Sequence, residues 1–133
     1  MAETERLGGC LCGAVRYRLT GEPKWTALCH CESCRRSASA PIVAWMGYTP
    51  AQVAWKGERT FYQSSDIATR GFCAKCGSQM SFESTRWPGE IHLYAPSLDD
   101  PGDYVPQLHC HHAEHLTWLN VEDDLPRHEG SAS

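Results

Sequence analysis

The chain has 133 residues, 41% of them hydrophobic and 21% charged, with a formal net charge of −4, which is the make-up of one globular domain with a modest core. That charge offers no basic field for nucleic acid and no polybasic anchor for a membrane, so small molecules are the expected partners. No stretch approaches the roughly 18 to 20 consecutive apolar residues of a membrane span, and the opening MAETERLGG lacks an apolar signal core, so a cytoplasmic protein is expected.

Short runs with alternating apolar residues, such as Val15, Tyr17 and Leu19 or Ile91, Leu93 and Ala95, carry strand periodicity. They predict strands near 14–19, 25–29, 42–46, 52–55, 60–64, 67–72, 79–83, 91–95, 105–109 and 116–121. Turn chemistry separates them at Gly21-Glu22-Pro23, Lys56-Gly57-Glu58, Trp87-Pro88-Gly89 and Asp99-Asp100-Pro101-Gly102, where the two aspartates are expected as turn formers. Only Glu32 to Ala38 has a helical look. Ten short strands with such turns predict a mainly β domain of antiparallel sheets. One domain is expected over 7–126, flanked by polar, small-residue tails at 1–6 and 127–133. The aromatic residues Trp45, Tyr48, Trp55, Trp87 and Tyr94 are expected to pack in the sheets.

Eight cysteines without a signal peptide point to thiols in a reducing compartment, where metal binding is a better expectation than disulfides. Cys10-Leu11-Cys12-Gly13 and Cys73-Ala74-Lys75-Cys76-Gly77 form two hooks. Each ends in glycine, which allows the positive φ of a knuckle that turns backbone N–H groups toward thiolate sulfur. Together they predict a closed four-cysteine zinc site, structural because no position is left for water or substrate. Buried free thiols are the alternative.

The second group, Cys29, Cys31 and Cys34, offers three thiols within six residues and no fourth beside them. Catalytic zinc sites keep three protein ligands and one open position, so this trio predicts a second, open zinc. Such a centre suits binding of a thiol as thiolate, because a free thiol has a pKa near about 8.5. Cys29 and Cys31 could instead join Cys10 and Cys12, but only Cys12 and Cys76 are followed by glycine. Arg35 and Arg36 follow Cys34, and Arg35 is either a contact for a substrate carboxylate or, with Arg36, a solvated arginine on a helical turn. His30 should point away from its neighbouring ligands. Of His109-Cys110-His111-His112-Ala113-Glu114-His115, at most two side chains are expected to converge, with Cys110 or His109 a candidate fourth ligand for the trio.

These residues resemble the glutathione-dependent formaldehyde-activating enzymes, grouped with centromere protein V. The resemblance runs through Gly9-Cys10-Leu-Cys12-Gly13, Cys29-His30-Cys31-Glu-Ser-Cys34-Arg35, Arg70-Gly-Phe72-Cys73-Ala-Lys-Cys76-Gly77-Ser78 and Ser97-Leu98-Asp99-Asp100, and extends to Asp124-Leu125-Pro126. It implies a small β-sheet assembly of the Mss4-like, β-tent type, with Cys10, Cys12, Cys73 and Cys76 on a structural zinc and Cys29, Cys31 and Cys34 on a catalytic one. It also implies a carbon–sulfur lyase reaction in which glutathione adds to formaldehyde, with Arg35 able to hold a glutathione carboxylate. His111, His112 and His115 stand outside the pattern. Two other classes compete: a related enzyme acting on a different small molecule, and a binding module whose zincs are both structural.

Overall fold

The computed structural model describes residues 4–132. In chain order its strands are β1 (Glu5–Gly9), β2 (Arg16–Thr20), β3 (Trp25–Cys29), β4 (Val43–Tyr48) and β5 (Val53–Lys56). They continue with β6 (Thr60–Gln63), β7 (Ala68–Phe72), β8 (Gln79–Ser84), β9 (Ile91–Tyr94) and the two-residue β10 (His109–Cys110). One helix, α1 (Glu32–Ala38), sits between β3 and β4. Three strands form a small antiparallel sheet in the order β1-β2-β5, and seven form a second sheet in the order β10-β3-β4-β9-β8-β7-β6. All pairs in the second sheet are antiparallel except β10 with β3, which run parallel with Cys110 opposite Cys29. The mainly β architecture is the one the strand periodicity predicts.

Period-two alternation divides the large sheet into two faces. Met46 and Tyr48 of β4, Met80 of β8, and Ile91 and Leu93 of β9 point to one side, where they pack with Tyr17 and Leu19 of the small sheet. Each apolar side chain fully buried there stabilises the fold by about 1.5–3 kcal/mol. The intervening residues Cys29, Val43, Trp45 and Tyr94 form a separate cluster on the other side, joined by Trp25, Phe82 and Cys110. Phe82 faces away from Met80 because a register shift opposite Gly71 and Phe72 breaks the alternation of β8. Gly47 makes the second face possible at β4. A Cβ there would stand 2.3 Å from the indole of Trp25, so only hydrogen leaves room for that ring.

Helix α1 covers the span that the sequence predicts. Its first turn is capped by Cys31, whose Sγ accepts the Cys34 N–H at 3.3 Å, and it ends at Ser39 in the left-handed conformation at φ 51°. Three other expectations differ. A strand runs from Glu5 to Gly9, so that its first two residues fall within the tail expected at 1–6, because β2 supplies its hydrogen bonds over the full length. Residues 116–121 form no strand, and the strand expected at 105–109 shrinks to His109–Cys110. Beyond Pro126 the backbone lies against β10: His109 N–H donates to Pro126 O at 2.8 Å and His128 N–H to His109 O at 2.9 Å. The outermost parts of the two expected tails, residues 1–3 and 133, lie outside the described residues.

Candidate metal centres and the cavity beside them

The two glycine-ended hooks meet. Cys10, Cys12, Cys73 and Cys76 place four sulfurs within 4.8 Å of one another, and Gly13 and Gly77 take φ values of 82° and 77°. Leu11 N–H donates to Ser78 Oγ at 3.1 Å, which ties one hook to the other. Val15 N–H donates to Cys10 Sγ at 3.3 Å, and the Ser78 hydroxyl lies 3.2 Å from Cys76 Sγ. That hydroxyl is the main reason the Cys76 thiol is held down to about 5. Four sulfurs about 2.3 Å from a tetrahedral zinc would be separated by roughly 3.8 Å. The Cys10–Cys12 and Cys12–Cys73 sulfurs are 3.7 and 3.8 Å apart, so the donor set and its spacing fit such an ion.

Cys29, Cys31 and Cys34 form the second cluster, again with all sulfurs within 4.8 Å. Cys29 ends β3, Cys31 caps α1, and Cys34 lies in the helix's first turn, so a strand end and a helix start aim three thiols at one point. The Cys31 thiol is pulled down to about 2 by hydrogen bonds from Cys29 and then Cys34, while Cys29 is pushed up, chiefly by Cys110 and then Cys31. One thiolate thus suppresses ionisation of its neighbours, and a bound dication is what lets all three ionise together. Cys110 lies beside Cys29 but outside the set of mutually close sulfurs.

A cavity of about 1230 Å³ opens beside the trio and is lined by all three of its cysteines. Trp25, Trp45, Phe82, Trp87 and His92 wall it with aromatic surface. Trp45 and Tyr94 pack in the second buried cluster and Tyr48 and Trp55 with the first, as aromatics on strands are expected to, while Trp45 and Trp87 also line the cavity. Trp25 Nε1–H donates to Glu90 Oε1 at 3.1 Å, and His92 Nε2 lies 2.9 Å from the same oxygen. Burial holds His92 below the usual imidazole range despite that carboxylate. None of the four hook cysteines lines the cavity.

Arg35 is placed elsewhere. Its Nε donates to His30 O at 3.0 Å, and it is not among the residues lining the cavity, whereas Arg36, Arg70 and Arg86 are. Arg36 also pairs with Glu32 one helical turn back at 2.9 Å. His30 turns away from the thiols, with Nε2 2.7 Å from His109 Nδ1. His109 is fully buried, and its Nε2 lies 2.9 Å from Asp123 Oδ2. Both ring nitrogens of His109 are thus engaged, which leaves it no lone pair for a metal. Asp123 is held down to about 2, mainly by that hydrogen bond. Among the described residues no three of the side chains at 109–115 are placed to share a metal ion, yet three of their rings gather around His30. The rings of His109 and His112 both lie close to His30, at 5.0 Å each between centroids, and His115 follows at 6.3 Å. His111 breaks the strand alternation with a left-handed φ of 52°, which returns the next turn over His30. Asp99 pairs with Arg16, and Asp100 accepts the Gly102 N–H at 3.3 Å, as a turn former should.

Residues 5–114 match the family model of the glutathione-dependent formaldehyde-activating enzyme. The chain belongs to this family. It is similar to a Halomonas elongata protein named "Putative glutathione-dependent formaldehyde-activating enzyme", at 27% identity over 86% of this chain and 80% of that protein. It also resembles an "Uncharacterized lyase" of Schizosaccharomyces pombe, 35% identical over 59% of this chain and 57% of its relative. A crystal structure of a Rhodobacter sphaeroides protein superimposes with a TM-score of 0.59 at 25% identity, covering 75% of this chain and 97% of that one. The family is described as one of enzymes, and both relatives carry enzyme names. Among the described residues no helix is long and apolar enough to cross a membrane.

Proposed function

We propose that the chain is a zinc-dependent carbon–sulfur lyase-type enzyme that activates a thiol, glutathione first among them, for addition to formaldehyde or a similarly small electrophile. The observation that carries this reading is the asymmetry of the two sulfur clusters. Four cysteines close on one point without lining the cavity, and three converge at its wall. Cys10, Cys12, Cys73 and Cys76 would hold a structural zinc, and Cys29, Cys31 and Cys34 a second one. When bound, the second ion supplies a place where a thiol is held as thiolate at neutral pH.

The chain's own residues do the rest. Strand β3 and the capped start of α1 fix the three sulfurs, so no reorganisation is needed when substrate arrives. The aromatic wall excludes water and shelters the reacting carbonyl. The volume suits a tripeptide thiol together with a small aldehyde, since pockets for drug-sized ligands run to roughly 1,000 Å³. In the reaction the substrate sulfur forms a bond to the carbonyl carbon, the π pair moves to oxygen, and that oxygen takes up one proton for the one lost by the thiol.

The test is zinc per chain by elemental analysis, followed by exchange between formaldehyde and its glutathione adduct with and without protein. Two zincs per chain and accelerated exchange are expected. Two zincs with no thiol affecting either the exchange or the metal would remove the enzyme assignment.

A further inference from the structure

Arg70 lies at the middle of β7, opposite Tyr62 of β6 and Phe82 of β8, on the face that lines the cavity. It is only 7% exposed, and its guanidinium carbon stands 4.9 Å from the Phe82 ring centroid. Arg6, Arg16, Arg36, Arg59 and Arg127 each pair with a carboxylate. Among the described residues Arg70 has no such pair, and its buried Nη1 has no hydrogen-bond partner. The buried Tyr94 hydroxyl stands close to the Arg70 guanidinium, a neutral neighbour that leaves its charge unmatched.

Burying an unpaired guanidinium is costly, and a cation–π contact offsets only part of that cost. A group held at that cost beside a cavity is suited to an anion that arrives with a ligand. The location narrows the choice, because Arg70 lines the same cavity as Cys29, Cys31 and Cys34 of the trio. A ligand whose sulfur meets the trio would bring a nearby carboxylate within reach of the guanidinium fork.

We propose that Arg70, rather than Arg35, binds the carboxylate of the substrate, so that this cavity selects thiols that carry a carboxylate. The inference rests on the thiol-activating reading given above. Neutral and cationic thiols of the same size leave Arg70 unpaired and bind more weakly for that reason.

The experiment titrates the zinc-loaded full chain with 3-mercaptopropionate and, separately, with its methyl ester, following tryptophan fluorescence from the cavity wall. Wild type is expected to bind the acid at least about tenfold more tightly than the ester, the size of a charge-assisted pair. Arg70→Gln should lose that preference while binding the ester within about twofold of wild type, and Arg70→Lys should recover part of it, because ammonium keeps the charge without the fork. Zinc is measured in each variant. Equal binding of acid and ester by wild type overturns the proposal. So does a Gln variant that weakens both thiols and keeps their ratio, which would make Arg70 only a counter-charge to the thiolates. If Arg70→Gln does not fold, the wild-type and Lys ratios decide, and identical ratios overturn it. If neither thiol binds wild type, the thiol-activating reading falls as well.

Discussion

The hook site and the trio use the same sulfur ligands, yet the chain builds them in opposite ways. The hooks draw on two segments, with Cys12 and Cys73 separated by 61 positions in sequence, and the sulfurs close around one point. The trio draws on one six-residue segment, and its remaining side is cavity. Under the proposed function, long-range connectivity serves the staple, and local construction serves the centre that keeps a position open. Ligand type is common to both; what surrounds the ligands separates structure from chemistry.

The largest effect expected from breaking this comparison is at the staple. A structural zinc contributes on the order of 10 kcal/mol to folding, comparable to the whole stability of a domain this size. Cys76→Ala should therefore leave the protein insoluble or unfolded, as read by soluble yield and circular dichroism. A variant that folds and melts cooperatively like wild type would remove the structural role. Cys31→Ala should behave differently: still folded, with zinc per chain falling from two to one and thiol exchange reduced by at least about 100-fold, beyond the roughly 10–100-fold of losing an outer partner. Equal damage to folding from both variants would erase the distinction.

His109→Ala sharpens the contrast at intermediate size. Deleting a fully buried ring with two hydrogen bonds should cost about 2–4 kcal/mol in urea unfolding. It should also weaken metal binding by the trio, which flanks His30, by about tenfold while the hook site keeps its ion. Loss of metal from both sites equally would contradict that division.

The smallest effect concerns acid. His92 takes up a proton less readily when folded than the unfolded chain does at about 6.5. Its share of stability is therefore complete above that pH and falls away as pH drops below it, because only the unfolded chain gains the proton. The stability gap between wild type and His92→Gln should narrow from pH 7.5 to pH 5.5, measured by urea titration at each pH. A constant gap would show that His92 does not titrate differently on folding.

Local chemistry was readable and distant contacts were not. Glycine after Cys12 and Cys76 marked the knuckles, and the short polar segment after Cys31 marked α1 residue for residue. Strand β1 was hidden because Glu-Arg-Leu-Gly-Gly has no alternation of its own and depends on β2 for its edge. The apolar run at 116–121 misled in the other direction, since alternation without a neighbouring strand stays irregular, and Trp118 remains 72% exposed. Arg35 adjoins a ligand in sequence, but the helix turns it toward the His30 carbonyl; Arg70, far along the chain, is the arginine that the sheet carries to the cavity. The Asp123–His109–His30 chain joins positions 14 and 79 residues apart, and no spacing rule signals it.

Gly47 gives position 47 an influence well beyond its size. The Trp25 indole occupies the space a methyl group would need, and that indole is part of the cavity wall. An alanine at 47 must drive the ring outward, toward the volume a substrate would fill. One hydrogen atom on a neighbouring strand thus helps to decide where this part of the chamber wall stands.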